Sequence, residues 1–441
     1  MMSSRLLSSL GTTEDLAAVF SDGSVLAALL AFESALARAQ ACLGLIPQSA
    51  AAAISRAAVA DGFDAAAIAR AARGSATLAI PLVNALAARV AEVDETSARF
   101  VHWGATSQDA MDTAMVLLLR QAKGILACDH ARLEKSLRAL SDRHAGTVML
   151  ARTLLQPAPP ITFGLKVAGW YGAIHRSWRR LCGSLDEALR LQFGGAAGTL
   201  AAYGPDGVAL AIQLAEELHL PLSDAPWHAH RDRLAAVAAH CGIYSGALGK
   251  IARDIALLMQ QEVAEVAESG GGSSAMPNKR NPTGCVVALA NANRTPGLVA
   301  AFLAGMVQEH ERAAGGWQAE WQNLADLIEA TGSGLAAVAG AVDGLAVYPD
   351  RMLANLVATQ GVIFAEKARM SIAARIGRDA AQALLADATR EAIGSARPLR
   401  EVLQRNSEIA SLLTAEQLEA MDRPGDYLGA AEQFRRQLLE D

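Results

Sequence analysis

Residues 270–282 read GGGSSAMPNKRNP, which places three glycines, two serines, a lysine–arginine pair and two asparagines in one short segment. Glycine tolerates positive φ, so the run suits a mobile flap or a turn that offers backbone N–H groups to an oxyanion. A free serine is too weak a base to take a proton from carbon. Ser273 can do so only where cations and backbone dipoles stabilise its alkoxide. Lys279, Arg280 and Asn281 supply donors, and Pro282 can open a helix. Composition alone also fits a solvated Gly/Ser linker.

Four further stretches carry candidate chemistry. Residues 102–113, HWGATSQDAMDT, put Thr106 and Ser107 at an N-cap with Asp109 in the first turn. Such a terminus satisfies an ordinary helix and also offers free N–H groups to an anion. Residues 227–233, WHAHRDR, set His228 and His230 two apart with no third ligand nearby, so no metal site is expected. Either Arg231 or Arg233 could grip a carboxylate bidentately, the other being a solvated charge. Residues 191–204 are glycine-rich without a complete phosphate-loop pattern. Residues 308–321, QEHERAAGGWQAEW, contain Arg312 and two tryptophans that read as packing.

Together these strings resemble the fumarase/aspartase superfamily. The loop matches its GSSxMPxKxNP signature, 102–113 its GATSQDxxDT motif and 308–321 its HER segment, while Trp317, Glu320 and Trp321 extend the likeness to the carboxymuconate cycloisomerases. The likeness covers essentially the whole chain. It implies an all-α, three-domain fold around a central long-helix bundle, in homotetramers whose sites draw on three subunits. It implies a small polycarboxylate substrate and no metal or organic cofactor. By motif position Ser273 handles the Cα proton, and His102, Thr106, Ser107, Lys279, Asn281, Arg312 and an arginine of the RDR run, Arg231 foremost, bind substrate.

Two positions depart from the lyases of that superfamily. Leu154 stands in ARTLLQPAPP where many carry a histidine, and Val286 stands where the partner glutamate follows the loop. Losing both members of a charge pair leaves no orphan charge. Activating water or expelling an amine calls for a general base or acid, whereas a substrate carboxylate, with a pKa near ~4, is already an ionised nucleophile at pH 7. The pattern therefore favours intramolecular lactone formation. Pro157, where cycloisomerases can carry a histidine, keeps a sulfonated or otherwise substituted muconate open as substrate. An adenylosuccinate-type lyase and a non-catalytic, crystallin-like helical protein are the remaining alternatives.

The elements that must position these residues follow from composition. Hydrophobic residues make up 52% and aromatics only 5%, with alanine and leucine dominant, which predicts an all-α protein. Residues 1–105 read as an N-terminal helical domain of short amphipathic helices, 106–345 as a domain of long helices carrying the site loops, and 346–441 as a C-terminal helical domain. A helix opening at Thr106 is expected to run toward Leu119. Residues 231–268 lack proline and could form one rod of roughly 55 Å. A net charge of −6 gives no general attraction to nucleic acid or anionic membrane. Five scattered cysteines without a C-x-x-C pair argue against disulfides and structural zinc. No secretory signal is read at the start, and no segment reads as membrane-spanning, 286–307 being interrupted by Asn291, Asn293, Arg294 and Pro296. A cytoplasmic protein is expected.

Overall fold

The computed structural model of the chain describes residues 6–272, 276 and 279–440. Alanine and leucine lose little rotamer freedom in a helix, and the chain is all-α as composition predicts: nineteen α-helices and two short antiparallel strand pairs among the described residues. Six helices come first: α1 (Glu14–Val19), α2 (Asp22–Cys42), α3 (Gln48–Ala57), α4 (Ala65–Ser75), α5 (Ala79–Ala91) and α6 (Glu95–Ala98). Four of these starts are set by side chains that take a free N–H: Thr13 accepts from Leu16, Ser21 from Ser24, Asp64 from Ala67 and Asp94 from Ser97. Long helices follow: α7 (Ser107–Arg143), α8 (Phe163–Ala188), α9 (Gly207–Leu218), α10 (Asp232–Leu258), α11 (Thr283–Ala304) and α12 (Gly316–Asp343). The chain ends in seven helices, α13 (Pro349–Val357) through α19 (Ala431–Glu440).

The chain clusters into two compact units of interleaved segments. The first comprises Met1–Ala131, Arg176–Gly249 and Val287–Ala337; the second comprises Arg132–His175, Lys250–Val286 and Val338–Asp441. In the first unit α2 packs against α3 and α9, and buries Leu29, Leu30, Phe32 and Leu36. In the second, Leu150 of the hairpin β1 (Val148–Thr153)–β2 (Gln156–Thr162) joins Phe364, Ile372, Leu385 and Leu403 in one apolar core.

Three expectations need correction. The helix opening at residue 107 continues to Arg143, because apolar residues such as Leu118, Leu126, Leu133 and Leu137 keep one face buried well past Leu119. The rod over 231–268 stops at Leu258: residues 266–267 form β3 with Ala346–Val347 (β4), and buried Glu265 pairs bidentately with Arg152, at 2.7 and 3.0 Å. Tertiary pairing there overrides a helical pattern. Finally, α2, α10, α11 and α12 are long and apolar enough to cross a membrane by length and composition. Internal packing accounts for most of this in α2 and α12, where 72% of the most apolar window is buried, whereas in α11 the figure is 22%.

Candidate active site

The residues with the strongest chemistry in the first unit gather where the chain enters α7. His102 and Gly104 have φ of 57° and 76°, the left-handed region that a non-glycine residue adopts at a cost. Glycine is obligatory at 104, since a Cβ would sit 2.6 Å from the Tyr203 ring. The turn is clamped at the Trp103 carbonyl, which accepts from Gln40 Nε2 at 2.7 Å and from the Tyr203 hydroxyl. His102 Nδ1 lies 2.6 Å from Oε1 of buried Glu33. Burial opposes a charged imidazole, but the Glu33 charge and hydrogen bond, with Asp109 further off, outweigh it and hold His102 above its ordinary range.

Asp109 does more than decorate a first turn. Fully buried, its carboxylate accepts from the Thr106 N–H at 3.1 Å, from the Gly194 and Gly195 N–H groups at 2.9 Å each, and is 2.7 Å from His228 Nε2. A buried carboxylate is tolerated when so many donors converge on it. The result is that the glycine-rich turn at 194–198 is stapled to the start of α7. Arg312 completes the assembly: Nη1 donates to Thr106 Oγ1 at 2.5 Å, and Nη2 to the carbonyls of Gly195 at 3.0 Å and Ala196 at 2.8 Å. Its acceptors are all neutral. Among the described residues this half-buried guanidinium has no carboxylate partner, so its charge remains available to an anion. Ser107, partly buried, is the first residue of α7.

Arg231 has a different setting. Only 3% exposed, it donates to Asp112 at 2.8 and 3.0 Å and to Glu320 at 2.6, 2.9 and 3.2 Å. Asp112 also accepts from Gln108, Gln192 and the indole N–H of Trp317, and Glu320 from Gln308. Burial pushes the Glu320 carboxyl up, against the pull of Arg231. Arg231 therefore serves two of the protein's own carboxylates, and the half-buried Arg233 is the arginine of that run with no ion pair among the described residues. His228 is spent on Asp109, His230 is exposed, and no cluster of three metal-binding side chains occurs among the described residues. Trp317 and Trp321 pack edge to face, with centroids 4.8 Å apart.

Lys279 and Asn281 belong to the second unit. Ser273 lies outside the described residues. The base of the loop is closed by a bridge between Gly272 and Arg280 and by the Asn281 N–H donating to the Gly271 carbonyl at 2.6 Å. At Gly271, with φ of 91°, a Cβ would fall 2.0 Å from the Asn281 carbonyl oxygen. Lys279 is exposed and Asn281 half-buried. Glu268 caps the following helix, accepting from the N–H groups of Gly284 at 2.9 Å and Cys285 at 3.0 Å. Leu154 and Val286 are both on the surface of the chain, at 97% and 54% exposure. Leu154 and Leu155, with φ of 48° and 64°, form the tip of the β1–β2 hairpin.

Sequence reasoning missed Glu33, Gln40 and Asp112 and undervalued Asp109. A signal existed for the first: Glu33 is the one acid within LLAFESALA, and a charge in so apolar a stretch needs a partner.

Residues 10–297 match the lyase family, and residues 361–438 match the adenylosuccinate lyase C-terminus. The chain is 46% identical over 441 residues to a 3-carboxy-cis,cis-muconate cycloisomerase of Bradyrhizobium diazoefficiens, covering 99% of this chain and 98% of that one. It is 40% identical over 443 residues to a nitrosuccinate lyase of Streptomyces davaonensis, covering 98% and 93%. The crystal structure of the 3-carboxy-cis,cis-muconate lactonizing enzyme from Pseudomonas putida superposes with a TM-score of 0.93 at 42% identity, covering 99% of this chain and 98% of that one.

Proposed function

Because this chain belongs to the lyase family of the fumarase/aspartase superfamily, we propose that it is a cycloisomerase that closes 3-carboxy-cis,cis-muconate to 4-carboxymuconolactone. One substrate carboxylate adds through oxygen to an alkene carbon. The displaced π pair moves toward a neighbouring carboxylate, and the carbon between them takes a proton. No group enters or leaves, so the step needs neither an activated water nor a protonated leaving group. Ser273 delivers that proton and removes it in reverse. Lys279, Asn281, Arg312, His102 and the Thr106–Ser107 turn hold the three carboxylates, and Arg231 supports the turn from behind.

The observation that carries this reading is Arg312, a fixed cation whose own acceptors are a hydroxyl and two carbonyls. A guanidinium set in neutral surroundings stabilises charge that develops on a bound carboxylate. The alternative substrates separate in parallel assays of 3-carboxymuconate, a sulfonated muconate, adenylosuccinate and nitrosuccinate. Turnover of the first with at least tenfold preference supports the reading, and turnover of adenylosuccinate or nitrosuccinate alone refutes it.

The same reading takes 1–105, 106–345 and 346–441 as three domains in a cytoplasmic homotetramer whose sites draw on more than one copy. The largely unburied apolar surface of α11 supports such an association.

A further inference from the structure

Glu33 is 2% exposed and sits among Leu29, Leu30, Phe32 and Leu36 of α2. Removing a carboxylate from water costs several kcal/mol unless a partner compensates it. Its one hydrogen-bond partner among the described residues is His102, through Oε1, while Oε2 is sealed from solvent without a donor. Seven residues on, and so on the same face of the helix, Gln40 fixes the carbonyl of the residue after His102. One face of α2 thus sets both the ring and the backbone of a turn held at positive φ.

The other ring nitrogen is left open. His102 Nε2 makes no hydrogen bond among the described residues, and the side chain is 16% exposed. The turn adjoins the Arg312 assembly: a Cβ on Gly195, whose carbonyl binds Arg312, would lie 3.3 Å from the Gly104 carbonyl. We propose that Glu33 is a positioning residue that holds His102 as an imidazolium, with Nδ1–H on the buried carboxylate and Nε2–H presented beside Arg312 to a substrate carboxylate. This rests on the polycarboxylate reading and adds a second fixed cation to it.

The charged and titratable groups facing the imidazole are consistent with that state. Glu33 comes from α2 and Asp109 from α7; Tyr203, whose hydroxyl donates to the carbonyl of the next residue, Trp103, is pushed up by burial and stays neutral. Both carboxylates favour the proton. The protonated ring is a donor and an anchor, and it leaves the carbon proton to another group.

The test is the titration of His102 in protein labelled with 13C-histidine, its imidazole signal assigned by its loss in His102→Gln. In the wild type the midpoint should lie above that of an ordinary histidine. In Glu33→Gln, which keeps an acceptor for Nδ1–H but removes the charge, it should fall by about one unit. KM for 3-carboxymuconate at pH 8 should then rise on the order of tenfold, one pKa unit being tenfold in protonation, with kcat changed far less, and lowering the pH to 6 should recover it. A wild-type midpoint at or below the ordinary value overturns the proposal, even if Glu33→Gln does not fold. So does an unchanged midpoint in that variant, or a KM penalty independent of pH. If the wild type turns over no muconate, the polycarboxylate reading fails, while the titration, which needs no substrate, still decides the role of Glu33.

Discussion

In the proposed reaction, Arg312 and His102 are the side chains on which anion binding turns. Arg312→Ala should lower kcat/KM by about 10²–10³, the range seen when one preorganised donor to a developing charge is lost. Arg312→Lys should recover little, because a single ammonium cannot reach Thr106 Oγ1 and two carbonyls in the same plane. His102 also links pH to stability. Its folded pKa is raised, so the stabilisation from its pair with Glu33 is complete below the ordinary histidine value and is lost as pH rises through the higher folded value. Thermal melts of wild type and His102→Gln should therefore differ most below pH 6 and converge at higher pH; a constant difference would contradict the pairing. The HER string marks Arg312, and the loop signature Lys279 and Asn281, as candidates whose substrate-binding roles are part of the proposal. That Glu33 needs a partner was readable, but which partner was not, since His102 is 69 residues away and only the fold of α2 against the turn joins them.

At the scale of elements, the start of α7, the glycine-rich turn and α12 are locked by buried ions. Arg231→Ala would strand Asp112 and Glu320 without a counter-charge, and should cost roughly 3–5 kcal/mol in chemical denaturation. The sequence suggested Arg231 as a substrate ligand because an RDR run shows two arginines without showing which one turns inward. Burial decides it, and Arg231→Met with both carboxylates neutralised, Asp112→Asn and Glu320→Gln, should be far less costly than Arg231→Ala. Equal losses would show that packing, not charge, matters there. Glycine signals were only half legible. The run at 270–272 announced freedom, but that Gly271 must lie against the Asn281 carbonyl, and Gly104 under Tyr203, follows from close approach between segments. Gly104→Ala should cost about 1–3 kcal/mol from positive φ alone, with the contact adding to it. A melting temperature within a degree of wild type would refute the clash. The end of α10 at Leu258 was hidden because Glu265 is paired by Arg152 from a distant strand.

For the molecule as a whole, composition gave the all-α class, and the long helices were foreseen in kind if not in length. Helical periodicity survives in sequence because each turn reports its own burial, whereas partners contributed by other copies leave only unburied apolar surface. That surface is present in α11 and at Leu154 and Leu155. Leu154 and Val286 are both exposed on the single chain, so under the proposed tetramer their replacement of a charge pair would bear on chemistry at a shared site rather than on the stability of one chain. Native mass spectrometry should find four copies of the 46.0 kDa chain, and a stable monomer would contradict the shared site. The central claim, that this chain forms a lactone by intramolecular carboxylate addition with Ser273 as the proton carrier, is tested most directly by mixing it with 3-carboxy-cis,cis-muconate and following the conjugated-diene absorbance. The account predicts rapid loss with the wild type and loss slowed at least 10³-fold with Ser273→Ala. Persistent absorbance with the wild type, or undiminished loss with the variant, would contradict it.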